Sequence, residues 1–396
     1  MSLDSASVRR STQRSAQRSI WTPLTGAAHS IAVEVLLDGP LPRSELARRL
    51  DLSAGSLTRL SKPLLDSGLL VETRGVCDPA SGRLTRPLDV DDTNDAFVGV
   101  KLTADAAHAV LTTLRADVVA AREVPLTDRS PGHVTRTVAA LVGELDALDP
   151  RPVRAVGVGL GGKVGGDGVV DSARYLGWED VPFGGPLEDL LGVPVVVDND
   201  VLSLTRAEQW FGSARRCGHF AVVVVGMGIG YGLVVHDRVV DRPDSGVGLL
   251  GHHPLDPHGP LCPDGHVGCA EAVLSTAALT TRAGLALRRS VTVEEVLDLA
   301  ERGEPLARKV VDDAARALGT LVAAVGNFTM PERVVVSGEN ARLAEVGRAA
   351  LDAGIRAGRN PLATELPVDV QLTGFAEWAR GAAVTAIRTF VLGSRR

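Results

Sequence analysis

Cysteine is scarce in this chain of 396 residues: there are four, and Cys77 and Cys217 stand alone. So sparse a set does not make a disulfide framework, and it fits a reducing compartment. Long apolar runs are missing as well. The sequence has no stretch of about 18 apolar residues and no charged-then-apolar leader, so neither a membrane span nor a secretory signal is expected, and the cytoplasm is the expected location. Positive charge is in deficit, with 42 Lys and Arg against 48 Asp and Glu for a net charge of -6. Spread evenly, that balance would argue against a nucleic-acid partner. It is uneven: residues 1–90 carry 12 Lys and Arg against 9 Asp and Glu, which leaves a net +3 head on a net -9 remainder. A phosphate-seeking head on a repelled acidic body is what this asymmetry suggests. With 45 % hydrophobic residues the chain can bury a sizeable core, and its length allows two or three domains.

The other two cysteines fall in one short loop, GHHPLDPHGPLCPDGHVGC, from Gly251 to Cys269. His252, Cys262, Asp264 and Cys269 together can fix a structural zinc ion, since zinc takes nitrogen and thiolate ligands in a closed tetrahedron. A Gly- and Pro-rich loop has no other obvious means of staying ordered. Asp264 is the hard member of a soft set, and His253, His258 or His266 are possible substitutes for it.

Ser and Arg interleave over residues 1–23, which have little to bury and are expected to be a disordered arm. Residues 24–90 follow a different pattern. Apolar residues dominate from Ala28 to Leu37 and Gly39-Pro40 stops that helix; Ser44 and Glu45 open a second through Leu50. Ser53 caps a third, in which Leu57, Leu60 and Leu64 form one apolar stripe. Pro63 should kink this helix or end its regular part near Lys62, and Gly68 stops it. Leu69–Thr73 and Arg86–Val90 read as the two strands of a hairpin. Three short helices and a hairpin make a winged helix-turn-helix. Its third helix would present Gly55, Ser56, Thr58 and Arg59 to a major groove, while Arg74, Arg83 and Arg86 of the wing would meet phosphate or the minor groove of an operator. The alternative is a small helical packing domain with a solvated charged face.

From residue 95 to 396 strands and helices alternate. FVGVKL, AHAVLTTL, RAVGVGL, VPVVVD, FAVVVVG, YGLVVH and RVVVSG are β-rich, and several carry glycine at their carboxyl ends, where open α/β sheets expose ligands. Gly161-Gly162, Gly226 to Gly230 and Ser337-Gly338 are three such loops. The runs cluster near 97–197 and 220–336, which predicts an α/β body of two lobes with a cleft between them. Lobe one spans about 95–197 plus a final helix at 375–392, and lobe two about 198–374.

These residues in this order resemble the ROK family, which contains sugar kinases and sugar-responsive repressors on a two-lobed actin-like (ribonuclease H-like) fold. The likeness spans almost the entire chain. The family's zinc motif matches Gly251-His252, Cys262, Asp264, Gly265, Gly268 and Cys269, with Asp264 where a middle Cys is expected. Its Asn-Asp pair matches Asn199-Asp200, with Glu208 following in its usual place, and the Asp is the family kinases' sugar base. Its Gly-rich phosphate loop resembles GMGIG, with Met227 where Thr is usual. By the same resemblance the effector pocket comprises Gly162, Asn199, Asp200, His252 and Glu271, while Leu249 takes the place of a hydroxyl-binding Glu.

Family kinases end the first body strand in an Asp followed by Gly-Gly-Thr, which holds magnesium and the ATP phosphates. This strand reads VGVKLTAD, with Lys101 at the Asp position and Thr103-Ala104 replacing the glycines. Phosphoryl transfer needs positioned Mg-ATP as well as a base, so no nucleotide and no catalytic residue are expected. The resemblance thus implies a homo-oligomeric, DNA-binding repressor of carbohydrate-related genes that senses a sugar or sugar-phosphate effector. Lys163 could favour a phosphorylated one. A ligand-free dimerisation scaffold or an active sugar kinase are the alternatives, and Asn199 and Asp200 could instead cap the helix leading to Glu208.

Overall fold

The computed structural model describes residues 24–77 and 84–393. The expected amino-terminal arm, residues 1–23, and Arg83 lie outside the described residues. The chain divides into two compact units, one ending at Asp91 and including the carboxyl-terminal residues from Ile387, the other running from Asp92 to Ala386.

In the first unit α1 (Gly26–Asp38), α2 (Arg43–Arg49) and α3 (Ala54–Asp66) are followed by β1 (Leu70–Glu72), β2 (Val76–Cys77), β3 (Leu84–Thr85) and β4 (Leu88–Val90). Strands β1 and β4 pair antiparallel from Leu70–Val90 to Glu72–Leu88, and β2 pairs with β3 beyond them. Leu41, between the first two helices, exchanges two backbone hydrogen bonds with Leu88, which adds a third short edge to the sheet. Ile31, Leu36, Leu46, Leu57, Leu64, Leu70 and Leu88 are buried and make the core. Arg49 ties the helices together through Glu34, Asp38 and Glu45.

Helix α3 runs through Pro63 to Asp66, so of the two outcomes expected there, a kink or an end near Lys62, the second does not occur. The reason is the side the proline takes. Arg59, Lys62 and Pro63 all face solvent, so water can serve the Arg59 carbonyl that loses its helical donor. The buried stripe also differs in one member, for Ser61 lies inward beside Leu57 and Leu64 while Leu60 is half-exposed.

The second unit holds two five-stranded sheets. In lobe one the order is β12-β8-β5-β6-β7, from β5 (Ala96–Leu102), β6 (Ala106–Thr112), β7 (Val118–Pro125), β8 (Val153–Leu160) and β12 (Val195–Asn199). The β12–β8–β5 pairs are parallel and the β5–β6–β7 pairs antiparallel. Between β8 and β12 lie a small sheet, β9 (Lys163–Val164), β10 (Val169–Ala173) and β11 (Trp178–Pro182), and α5 (Gly184–Leu191). Helix α4 (Pro131–Asp146) packs on β6 and β7. In lobe two the order is β15-β14-β13-β16-β17, from β13 (Phe220–Val225), β14 (Ile229–Val235), β15 (Arg238–Val239), β16 (Arg333–Ser337) and β17 (Val368–Val370). The 25-residue α10 (Pro305–Thr329) is covered by α7 (Ala270–Leu274), α8 (Thr276–Leu287), α9 (Val293–Glu301), α11 (Arg342–Val346) and α12 (Arg348–Gly358).

Two helices join the lobes. Helix α6 (Asp200–Phe211) leaves β12 and packs on β14, and α13 (Phe375–Ala386) crosses β5 and β8. Glycine permits that crossing, since a Cβ at Gly99 would sit 1.8 Å from the Ala379 carbonyl oxygen, and one at Gly157 would sit 1.9 Å from that of Ala382. The final turn, Ile387–Val391, groups with the first unit instead of with lobe one, so the expected helix to residue 392 is divided after Ala386. Among the described residues no helix is long and apolar enough to cross a membrane.

Candidate binding cleft and metal centre

Strand ends from both lobes meet around a cleft of about 640 Å³. Lys101 and Leu102 end β5 there, Gly161-Gly162 follow β8, Asn199 closes β12, and Met227 and Gly228 come just after β13. This is where parallel sheets expose backbone amides and helix starts to ligands.

Lys101 and Asp200 are both buried, and the Lys101 ammonium is hydrogen-bonded to Asp200 Oδ2. The ammonium also lies 5.0 Å from the centre of the Trp378 ring, a cation–π contact that helps hold a charge away from bulk water. The other Asp200 oxygen accepts the Val201 N–H at 2.8 Å. A carboxylate engaged on both oxygens, one of them by a cation, is poorly placed to abstract a proton.

Asn199 is engaged too. Its Oδ1 accepts the Val201 and Leu202 N–H groups at 3.0 and 3.1 Å and so caps α6, and its Nδ2 donates to the Gly162 carbonyl at 2.9 Å. The capping role foreseen as an alternative is therefore present, and the same amide fixes the Gly161-Gly162 turn beside the cleft. Gly246, at φ +86°, makes room for this amide, since a Cβ there would meet Asn199 Nδ2 at 2.8 Å. Glu208 faces away from the cleft into α6's own surroundings, where its carboxylate accepts the Ser213 N–H at 3.1 Å. Burial raises its pKa against the lowering effect of the Ser213 hydrogen bonds.

The turn Gly226 to Gly230 has steric reasons for its glycines. A Cβ at Gly230 would strike Val201 at 2.6 Å, and one at Gly232 would strike Thr205 at 1.9 Å, so α6 lies directly against β14. At Gly226 the neighbour is the Glu339 carboxylate, 1.7 Å from where a Cβ would be. An acidic group covers the turn that in a nucleotide site faces phosphate. Desolvation raises the Glu339 pKa, with nearby Lys101 opposing and Asp200 reinforcing the effect. Sequence reasoning missed Glu339, although its signal was available as a charged residue directly after the Ser337-Gly338 loop.

His252 and Glu271 both line the cleft, half-buried. His252 ends a short 3-10 turn, Leu249–His252, and Glu271 sits in the first turn of α7 with its carboxylate against Gly251. Leu249 is exposed on the cleft wall. Lys163 pairs with Asp171 at 3.6 Å, and neither lines the cleft.

Beside the cleft the loop from Pro254 to Cys269 folds into a knuckle. Leu261 bridges Val267, Pro254 bridges Cys269, and the Cys262 N–H binds the His266 carbonyl at 2.9 Å. Gly268, at φ +54°, lies so close to Asp256 that a Cβ would be 1.7 Å from its carbonyl oxygen. This turn gathers His252, Cys262 and His266, whose ligand atoms lie within 4.8 Å of one another. Cys262 Sγ is 3.9 Å from His252 Nδ1 and 3.5 Å from His266 Nδ1. Tetrahedral zinc with bonds of roughly 2.0–2.3 Å needs ligand atoms roughly 3.3–3.8 Å apart; the Cys262–His266 pair meets that spacing and the Cys262–His252 pair lies just beyond it, and the thiol and imidazole donors suit the ion. Burial pushes the Cys262 thiol up, but hydrogen bonds from His266, Asp264 and Cys269 outweigh it and bring the thiol to about 6. Cys269 is buried against Cys262, outside the three-atom cluster. Asp264 Oδ2 lies 3.6 Å from His252 Nε2 and 3.2 Å from Arg174 Nη1, so it ties the knuckle to the turn after β10. His266, one of the substitutes foreseen for Asp264, stands in the ligand cluster.

In the first unit Ser53 Oγ caps α3 by accepting the Ser56 N–H at 3.1 Å. Gly55, Thr58 and Arg59 are exposed on its amino-terminal half, and Ser56 is half-buried with its hydroxyl on Ser53. Arg74 is exposed; Arg86 is exposed and lies 3.5 Å from Glu72.

Two α/β lobes around a cleft lined by strand ends and a Gly-rich turn define a sugar-kinase-like body. The chain belongs to the ROK family, whose model matches residues 97–356. It is 27 % identical over 356 residues to the DNA-binding transcriptional dual regulator NagC of Escherichia coli K12, across 86 % of this chain and 87 % of NagC. A glucokinase from Halalkalibacterium halodurans is 28 % identical over 267 residues, across 61 % of this chain and 79 % of the enzyme. Among solved structures, a ROK family transcriptional regulator described as a homologue of E. coli Mlc superposes with a TM-score of 0.80 at 23 % identity, covering 92 % of this chain and 96 % of its own.

Proposed function

We propose that this protein is a sugar-responsive transcriptional repressor whose first unit is a winged helix-turn-helix and whose body senses an effector without phosphoryl transfer. The observation that carries the second half is the Lys101–Asp200 pair: the residue that would serve as base is held by the residue standing where a metal-binding carboxylate would be. Glu339 over Gly226 adds like-charge repulsion toward any triphosphate. The first half is supported by the match to NagC along most of both chains and by the capped, solvent-facing amino-terminal half of α3.

In this reading Gly55, Ser56, Thr58 and Arg59 read base edges, and Arg74, Arg83 and Arg86 hold phosphate. Gly162, Asn199, Asp200, His252 and Glu271 frame the effector. Zinc, held by His252, Cys262 and His266 with Cys269 completing the set, is structural and pins the loop that carries His252 to the cleft. The protein acts in the cytoplasm as a homo-oligomer, because one small head on one half-site binds weakly and a two-fold pair reads a palindrome. Phe328, Met330 and Leu362 are exposed apolar residues at one end of lobe two that a second copy can cover. Effector binding changes DNA affinity only so far as it favours one state of the protein over the other.

The test is a mobility shift on the DNA upstream of the protein's own gene, with Arg59→Ala alongside. The parent is expected to shift the fragment and the variant to lose most of that shift while melting at the same temperature; equal shifts would remove α3 as the reader. Incubation with Mg-ATP and a hexose panel should give no phosphorylated sugar.

A further inference from the structure

The cleft carries two kinds of lining. Asp200, His252 and Glu271 are polar, whereas four side chains with large apolar surfaces stand open to solvent: the Tyr175 ring at 36 %, Val247 at 41 %, Met227 at 52 % and Leu249 at 66 % exposure. Single exposed apolar residues are ordinary, but four lining one concavity mark a surface that something covers. They come from separate segments: Tyr175 from the turn after β10, Met227 from the turn after β13, Val247 from the loop entering the 3-10 turn and Leu249 from the first residue of that turn. Their convergence is therefore a property of the fold and not of one hydrophobic stretch. None of the four offers a hydroxyl-binding carboxylate or amide, and the volume of about 640 Å³ exceeds what one six-membered sugar ring needs.

We infer that the effector is a glycoside with an aryl or alkyl aglycone: its hydroxylated ring faces Asp200, His252 and Glu271, and its apolar group covers Met227, Val247, Leu249 and Tyr175. This rests on the effector reading above and narrows its chemistry. A free hexose would leave the apolar wall wet. A sugar phosphate would place a dianion near Glu339 and Glu271, with Lys101 committed to Asp200 and Arg174 to Asp264, so that of the basic residues lining the cleft Arg242 would have to hold it. An uncharged ring or alkyl chain, in contrast, gains affinity from each apolar atom it removes from water.

The experiment is isothermal titration of the full chain with matched pairs of methyl and phenyl glycosides, both anomers, of glucose, galactose, xylose and N-acetylglucosamine. For the sugar that binds, the phenyl member is expected to bind at least about tenfold tighter than the methyl member. Leu249→Ser and Met227→Ser, at exposed positions, should each shrink that ratio several-fold, the phenyl member losing more affinity than the methyl member. Equal affinities for phenyl and methyl members overturn the inference and leave the effector reading standing. Binding of neither member for any sugar overturns the effector reading itself, and this inference with it.

Discussion

Lys101 shows how one substitution changes the chemistry of a site. A buried lysine is tolerable only with a partner, and Asp200 supplies it with Trp378 beneath. Lys101→Met should therefore leave Asp200 as an uncompensated buried charge and lower stability in urea melts by about 3–5 kcal/mol. Adding Asp200→Asn should restore most of the loss. If the single variant is as stable as the parent, the pair is not the lock described. Glu208 gives a pH-dependent case. Burial raises its folded-state pKa above the ordinary 4.5, so its favourable contribution is complete below that value and is lost as pH rises through the folded-state pKa. Glu208→Gln, neutral throughout, should melt above the parent at pH 8, with the gap closing toward pH 4.5.

Helices and loops owe their positions to a few local devices. Ser53 begins α3 by accepting the Ser56 N–H, and Ser53→Ala should cost about 1 kcal/mol of stability in the head while Arg59→Ala costs little. Gly99 and Gly157 let α13 lie on the lobe-one sheet. Gly157→Ala should destabilise by about 1–3 kcal/mol or more, because the helix backbone at Ala382 cannot yield as a flexible side chain would. In the knuckle the ligand choice is decidable by elemental analysis. About one zinc per chain is expected, lost in Cys262→Ala and His266→Ala and retained in Asp264→Ala; loss in the last and retention in the second would return Asp264 to the ligand set.

Across the whole molecule, the proposed function makes the α/β body the receiver and the small head the acting part. Phe328→Asp should lower the mass seen by light scattering to that of a single chain if the exposed end of lobe two is a self-association face, and an unchanged mass would place that face elsewhere. Chains that share this body can be enzymes, as the glucokinase match shows, so the fold alone does not choose the activity. In the function proposed above the choice falls on two charged side chains that line the cleft, Lys101 and Glu339.

Most of this was legible from residue order. Hydrophobic period, Ser53 before a Leu stripe, glycines after β-rich runs, and the crowded His and Cys loop are local signals, and they located the three head helices, seven body strands and the metal loop. Strand β7 was not legible, because its residues are mostly exposed at a sheet edge and lack an apolar run; β9 and β15 are two residues long and carry no period at all. The partners of Lys101, the carboxylate over Gly226 and the approach of His266 to Cys262 depend on segments that meet through space. Sequence spacing fixes which side chains an element carries, but the distance between side chains on different elements is set by packing. Position 101 could be read as a missing carboxylate from the sequence, whereas its grip on Asp200, 99 residues away, exists only once β5 and β12 close on the same cleft.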